Sequence, residues 1–135
     1  MKKIFVDTGA WYALIDRRDP NHDRVVPVFE EFRGRLVTST YVVDETLTLL
    51  RYRLGWRIAY TFGEKIRANT LAHTIRIQSA DEQVAWDIFV RYQDHSFSFT
   101  DCTSFAAVER AKIAVSLALD NDFRSYGLRC LPIMQ

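Results

Sequence analysis

Cysteine is scarce: Cys102 and Cys130 are the only two in 135 residues. Two are too few for a disulfide framework, and no histidine or second cysteine stands at zinc-ligand spacing from either. Both read as free buried thiols. Long apolar runs are missing as well, none approaching the roughly 18 to 20 residues of a membrane span. Lys2-Lys3 leads within a few residues to Asp7, which is not the profile of a secretory signal. A cytoplasmic protein without membrane contact is expected. Neither sign of charge dominates, with 18 Lys and Arg against 17 Asp and Glu, so any nucleic-acid surface has to be a local cluster of bases. His22, His73 and His95 share no spacing that suggests a metal or a catalytic pair, and none is assigned chemistry.

What is present is a soluble globular mixture, 48% hydrophobic and 26% charged, long enough to bury a real core. No repeat, linker or low-complexity segment divides it, so residues 1–135 are expected to form one domain. The apolar run Ile4-Phe5-Val6 reads as a strand buried on both faces, followed by a short helix from Gly9 to Ile15. Asp19-Pro20 is expected to start the next helix, which Gly34 stops. "RLVTST" predicts a strand capped by Ser39 or Thr40, and Tyr41 to Leu54 a helix closed by Gly55. A helix from about Arg57 to Ala68 leads into the β-branched "LAHTIRI". "ADEQVAWDIFVRYQ" predicts an amphipathic helix with Val84, Ile88 and Tyr92 inward and Asp81 among its polar positions. A helix starting near Asp101, an apolar strand "IAVSLAL" ending in Asp120 and an edge strand "LRCLPI" complete an α/β domain with a mainly parallel sheet between helices.

Carboxylates mark the ends of these elements. Asp7 and Asp120 follow strands, Asp101 stands where a helix begins, and Glu45 lies in the early turns of another. In a doubly wound sheet, strand carboxyl ends and the following helix amino ends share one edge, so four acids from distant parts of the chain can converge. Like charges at close range raise one another's pKa values, and a divalent cation resolves the conflict. Hard oxygen donors without His or Cys suit Mg²⁺ or Mn²⁺.

Each residue also has a plainer reading. Asp101 fits an ordinary helix cap, and Asp120 an ordinary turn in which Asp122 competes for any site role. Asp44 neighbours Glu45, but helical spacing sets Glu45 beside Val42 and Leu49, which turns it inward. Trp11, Trp56 and Trp86 read as packing residues, and the arginines at 51, 53 and 57 as a solvated helix face with phosphate contact as the alternative.

Four segments together carry a resemblance: "IFVDTGAWYAL", "YVVDETLTLL", "FSFTDCTSFAAVERAKI" and "SLALDNDFRSYG". In this order the chain resembles PIN-domain ribonucleases, especially the small VapC-like toxins of bacterial and archaeal toxin–antitoxin pairs. The first acid with a following hydroxyl matches Asp7-Thr8, the helical Glu matches Glu45, and the third acid with its hydroxyl matches Asp101 and Ser104. The fourth falls on Asp120 in Asp120-Asn121-Asp122-Phe123. There the match departs from the family pattern, because Ala118 stands where a Thr or Ser is usual, and Asp122 is a second candidate. The resemblance implies a three-layer α/β/α PIN-like fold and a divalent-metal-dependent endoribonuclease. Asp7, Glu45, Asp101 and Asp120 would hold Mg²⁺ or Mn²⁺, which lowers the pKa of a bound water. Thr8 and Ser104 would support the carboxylates rather than attack, since no His or Lys is placed to activate them. It further implies an RNA substrate, a small antitoxin partner whose Arg or Lys enters the acidic site, and a homodimer, for which the apolar content of the helices at 41–54 and 57–68 also argues. The rivals are a housekeeping PIN nuclease in RNA processing, a non-cleaving PIN-fold module that binds RNA or a partner, and a phosphohydrolase using Asp7 as nucleophile. The last conflicts with Gly9, where a haloacid-dehalogenase-like phosphatase carries a second Asp.

Overall fold

The computed structural model describes residues 2–133. The first apolar run forms β1 (Lys3–Val6), with Ile4, Phe5 and Val6 wholly buried. The chain continues through α1 (Thr8–Ile15), α2 (His22–Glu31), β2 (Arg35–Ser39), α3 (Thr40–Leu54), α4 (Trp56–Arg67) and β3 (His73–Ile75). It then forms α5 (Ser79–Arg91), α6 (Phe99–Ala111), β4 (Val115–Leu117), α7 (Asp122–Tyr126) and β5 (Cys130–Leu131). Every pairing is parallel, in the order β3-β2-β1-β4-β5, which leaves β5 at an edge as expected. No described helix is long and apolar enough to cross a membrane.

Crossover handedness turns this order into three layers. Stepping from β1 to β2 to β3 in one direction with right-handed crossovers places α1 to α4 on one face. Returning to β4 on the other side of β1 places α5 to α7 on the opposite face, and the helix packing agrees, with α3 on α1 and α4, and α6 on α5 and α7. On the first face Trp11 packs 5.5 Å from both Phe29 and Phe62. On the second, Phe105 stacks on Tyr126 at 4.3 Å and meets Phe123 edge-on at 5.0 Å. The strand order reverses between β1 and β4, and the carboxyl ends of those two strands flank the crevice where open α/β sheets present ligand groups.

Several local expectations are corrected. α2 begins at His22, not at Asp19-Pro20, because the Asp19 carboxylate accepts from the Asn21 N–H at 2.8 Å and its carbonyl from the His22 N–H, closing a turn first. Gly34 lies beyond the helix end; a Cβ there would sit 2.4 Å from the Lys2 carbonyl oxygen, so its work is to let the entry of β2 approach β1. On α5, Val84 is exposed and Asp81 buried, because Arg110 of α6 reaches across to Asp81 with two hydrogen bonds of 2.7 and 3.0 Å. A buried charge with a forked partner outcompetes a valine for the inner position. Trp11 is buried as expected, but Trp56 and Trp86 are about half exposed. Cys102 is a buried free thiol, whereas the free Cys130 is only half-buried on the edge strand.

Candidate active site

Asp7 occupies the N-cap position of α1, and its backbone does what a cap requires. Its carbonyl accepts from the N–H groups of Ala10 and Trp11 at 3.1 and 3.2 Å, and its own N–H continues the ladder to the Leu117 carbonyl. Its side chain makes no cap hydrogen bond. Oδ1 is instead buried without a protein partner, as are the hydroxyls of the adjacent Thr8 and of Ser104 on α6. Buried polar atoms are normally paired, and an orphaned carboxylate oxygen is among the costliest exceptions. Burial pushes the Asp7 carboxyl well above its ordinary range, and the charges of Asp101, Asp120 and Glu45 add to this against a hydrogen bond from the Thr8 N–H.

Asp101 reaches the same edge from α6. It is the third helical residue rather than the cap: Ser98 caps, its Oγ accepting from the Asp101 N–H at 3.0 Å, while Asp101 Oδ2 accepts from the Ser98 N–H at 3.1 Å. This reciprocal box fixes the carboxylate while employing only one of its oxygens. Its pKa is pushed up to about 7, by burial first and then by the charge of Asp120 and a hydrogen bond with Asp122, against the Ser98 N–H.

Asp120 does not end β4 directly but lies three residues beyond it, exposed, in the turn to α7. Its Oδ1 accepts from the Asp122 N–H at 3.0 Å. Burial of the carboxyl and the Asp122 charge raise its pKa, opposed by that N–H and by Arg124. Glu45 is exposed on the second turn of α3, so the inward orientation read from its neighbours is not what forms; it stands at the rim, where its charge still reaches Asp7. The edge therefore grades from buried Asp7 and Asp101 to exposed Asp120 and Glu45, with Asp122 near enough to raise the Asp101 carboxyl. Among the described residues no group of three or more Asp, Glu, His or Cys side chains stands close enough together to hold a metal ion as placed. The donors nonetheless suit a hard divalent cation: all are oxygens, and the innermost, Asp7 Oδ1, has no partner in the protein.

Two supporting residues escaped the sequence reading. Thr38 of β2 donates to the Val6 carbonyl at 3.1 Å and accepts from the Trp11 indole N–H at 3.3 Å, pinning the β1–α1 junction that carries Asp7. Arg124 holds the Asp120 turn, donating to the carbonyls of Ala118 and Asp120 at 3.3 Å each and of Pro132 at 2.7 Å. The signals were a hydroxyl directly after the apolar pair Leu36-Val37 and a base four residues after an acid.

Comparison with known proteins gives a consistent result. The PIN domain family profile matches residues 4–128. The 23S rRNA-specific endonuclease VapC20 of Mycobacterium tuberculosis is 35% identical over 124 residues, 92% of this chain and 94% of that one. The VapC ribonuclease of Archaeoglobus fulgidus is 29% identical over 123 residues, 87% of this chain and 77% of its own. The crystal structure of VapC20, described as a Sarcin-Ricin loop cleaving toxin, superposes with a TM-score of 0.88 at 34% identity, covering 93% and 95% of the two chains.

Proposed function

The chain belongs to the PIN-domain family, among its VapC-like members, and on that premise we propose that it is an endoribonuclease hydrolysing RNA phosphodiester bonds as the toxin of a type II toxin–antitoxin pair. The observation that carries the reading is the buried Asp7 carboxylate, whose Oδ1 has no protein partner, raised by Asp101, Asp120 and Glu45 at the point where the strand order reverses. The whole chain, residues 1–135, acts as one domain.

Asp7, Glu45, Asp101 and Asp120, with Asp122 beside them, would hold Mg²⁺ or Mn²⁺, which when bound supplies activation of water and neutralises charge on the scissile phosphate. The protein's own contribution is positioning. The Ser98 box fixes Asp101, Arg124 fixes the turn bearing Asp120, and Thr38 fixes the strand end before Asp7. Thr8 and Ser104 present buried hydroxyls that can each orient a carboxylate or a water. Asp101 and Asp7 hold protons more firmly than ordinary carboxyls, and their carboxylates would have to give up those protons to hold a cation.

A negative edge of this kind also attracts bases, which supports an antitoxin tail placing an Arg or Lys among the acids. The 35% identical relative named for 23S rRNA makes ribosomal RNA the first substrate to assay. For self-association α5 offers the exposed Trp86, Phe89 and Val90 on one side of the helix, in addition to the exposed apolar residues of the α3 and α4 helices to which composition pointed. The test is cleavage of 23S rRNA and of a generic RNA with Mg²⁺ or Mn²⁺ and with chelator. Divalent-dependent internal cuts support the reading; phosphate release from small esters without RNA cleavage would replace it.

A further inference from the structure

The exposed rings of the α3–α4 hairpin play no part in the core or in the acid cluster. Trp56 is 51% exposed, Tyr60 44% and Tyr52 83%. Trp56 and Tyr60 lie one helical turn apart and stack with centroids 4.9 Å apart and planes inclined by 22°. Arg57 sits over the Trp56 ring at 5.3 Å. Arg51 and Arg67 line, with these two rings and one carboxylate, Glu64, a shallow groove of about 270 Å³ between the helices, two guanidinium groups to a single acid. Among the described residues none of Arg51, Arg57 and Arg67 has a carboxylate within ion-pair distance. Helix C-termini favour basic residues, which accounts for Arg51 and Arg67 singly, but not for an aromatic stack left in water between them.

We propose that this hairpin is a binding platform for an unpaired RNA strand, the rings stacking on bases and the arginines following phosphates. The inference rests on the ribonuclease reading above and extends it to where the substrate is gripped. Flat rings interleaved with guanidinium groups are the chemistry that binds splayed-out bases. On α5, Arg91 is exposed at the helix end, but among the described residues no guanidinium lies over Trp86 or Phe89 as Arg57 lies over Trp56, and that contrast assigns RNA here. The path to the acids is short. Tyr52 follows Glu45 by seven positions, so two turns of α3 set it on the same stripe about 10 Å farther along the axis. A strand leaving the acidic edge along α3 reaches Tyr52 and then Trp56, just past the Gly55 turn.

The experiment measures binding of a fluorescent unstructured 12-nucleotide oligoribonucleotide to the full chain, in chelator to prevent cleavage, beside cleavage kinetics with Mg²⁺. Trp56→Ala with Tyr60→Ala should weaken binding at least tenfold and lower kcat/KM through KM, while Trp56→Phe retains affinity within about threefold. Arg51→Gln with Arg57→Gln should flatten the salt dependence of log K by about 1.4. Unchanged affinity and KM in the folded aromatic double variant overturn the platform, as does a dimer that the double substitution converts to a monomer with RNA affinity intact. A wild-type chain that cuts no RNA under any divalent condition would instead overturn the function on which the platform rests.

Discussion

Asp7 stands where a helix would use it as a cap, yet its carboxylate caps nothing and faces the other acids. Asp7→Asn keeps the volume and removes one charge from the cation site, so cleavage with Mg²⁺ should fall at least 100-fold, the order expected when several kcal/mol of charge stabilisation is lost. The same change should raise the melting temperature of the metal-free protein at pH 8. Because the folded-state pKa of Asp7 is raised, ionising it penalises the fold as pH climbs above the ordinary carboxylate range, and Asn removes that penalty. The difference should shrink toward pH 4, as thermal unfolding in chelator would show. Asp101 is pushed up to about 7, so below that pH a proton opposes the cation, and cleavage at fixed subsaturating Mg²⁺ should rise through the neutral range. Asp120→Asn should cost more activity than Asp122→Asn. Asp7, Asp101 and Asp120 were legible as candidates because strand carboxyl ends and helix amino ends share one edge of such a sheet, although Asp101 and Asp120 also have the cap and turn roles that the structure shows. The influence of Asp122 on Asp101 was not, since it depends on how a turn bends between two elements. Nor was the position of Glu45 at the rim, because helical neighbours give the side of a helix but not what lies beyond it.

Among the elements, α5 and α6 are tied by Asp81 and Arg110, 29 residues apart. Burial alone would raise the Asp81 carboxyl, but the Arg110 fork and the Gln78 N–H outweigh it and hold it below its ordinary value. Arg110→Gln should therefore destabilise the protein by about 1 to 2 kcal/mol at pH 7, a modest figure because Arg110 is itself half exposed. The sign is that of a depressed carboxyl: the stabilisation is complete above the unfolded pKa near 4 and fades as pH falls through the folded one. Urea unfolding at pH 7 and pH 3 should show the gap between wild type and variant closing. The helical period of α5 was readable, but its inner face was not, since the pairing that draws Asp81 inward comes from a distant helix. The strands were the most legible elements, as Ile4-Phe5-Val6 illustrates, because burial on both faces leaves a run without alternation. The start of α2 was misread because Asp19 closes a turn as readily as it begins a helix.

At the scale of the whole molecule, the fold sorts its surfaces by chemistry. The carboxyl edge of the sheet collects acids, the α3–α4 hairpin carries arginines and rings, and α5 presents an apolar face. The last of these predicts self-association: light scattering at micromolar concentration should give twice the chain mass, and Trp86→Ser with Phe89→Ser should return it to the monomer. The fold class was accessible from alternating patterns, and three-layer closure follows from the handedness of the crossovers. Exposed faces were not accessible, because composition counts apolar residues without saying which the other helices cover. The central claim is that the acids at the β1–β4 crevice cut RNA with a divalent cation. Its most direct test is the cleavage of purified 23S rRNA by wild type and by Asp7→Asn, each with Mg²⁺, with Mn²⁺ and with chelator. The account predicts internal cuts by the wild type in either metal and in no other lane. Equal cleavage by a folded Asp7→Asn protein, or wild-type cleavage undiminished by chelator, would contradict it.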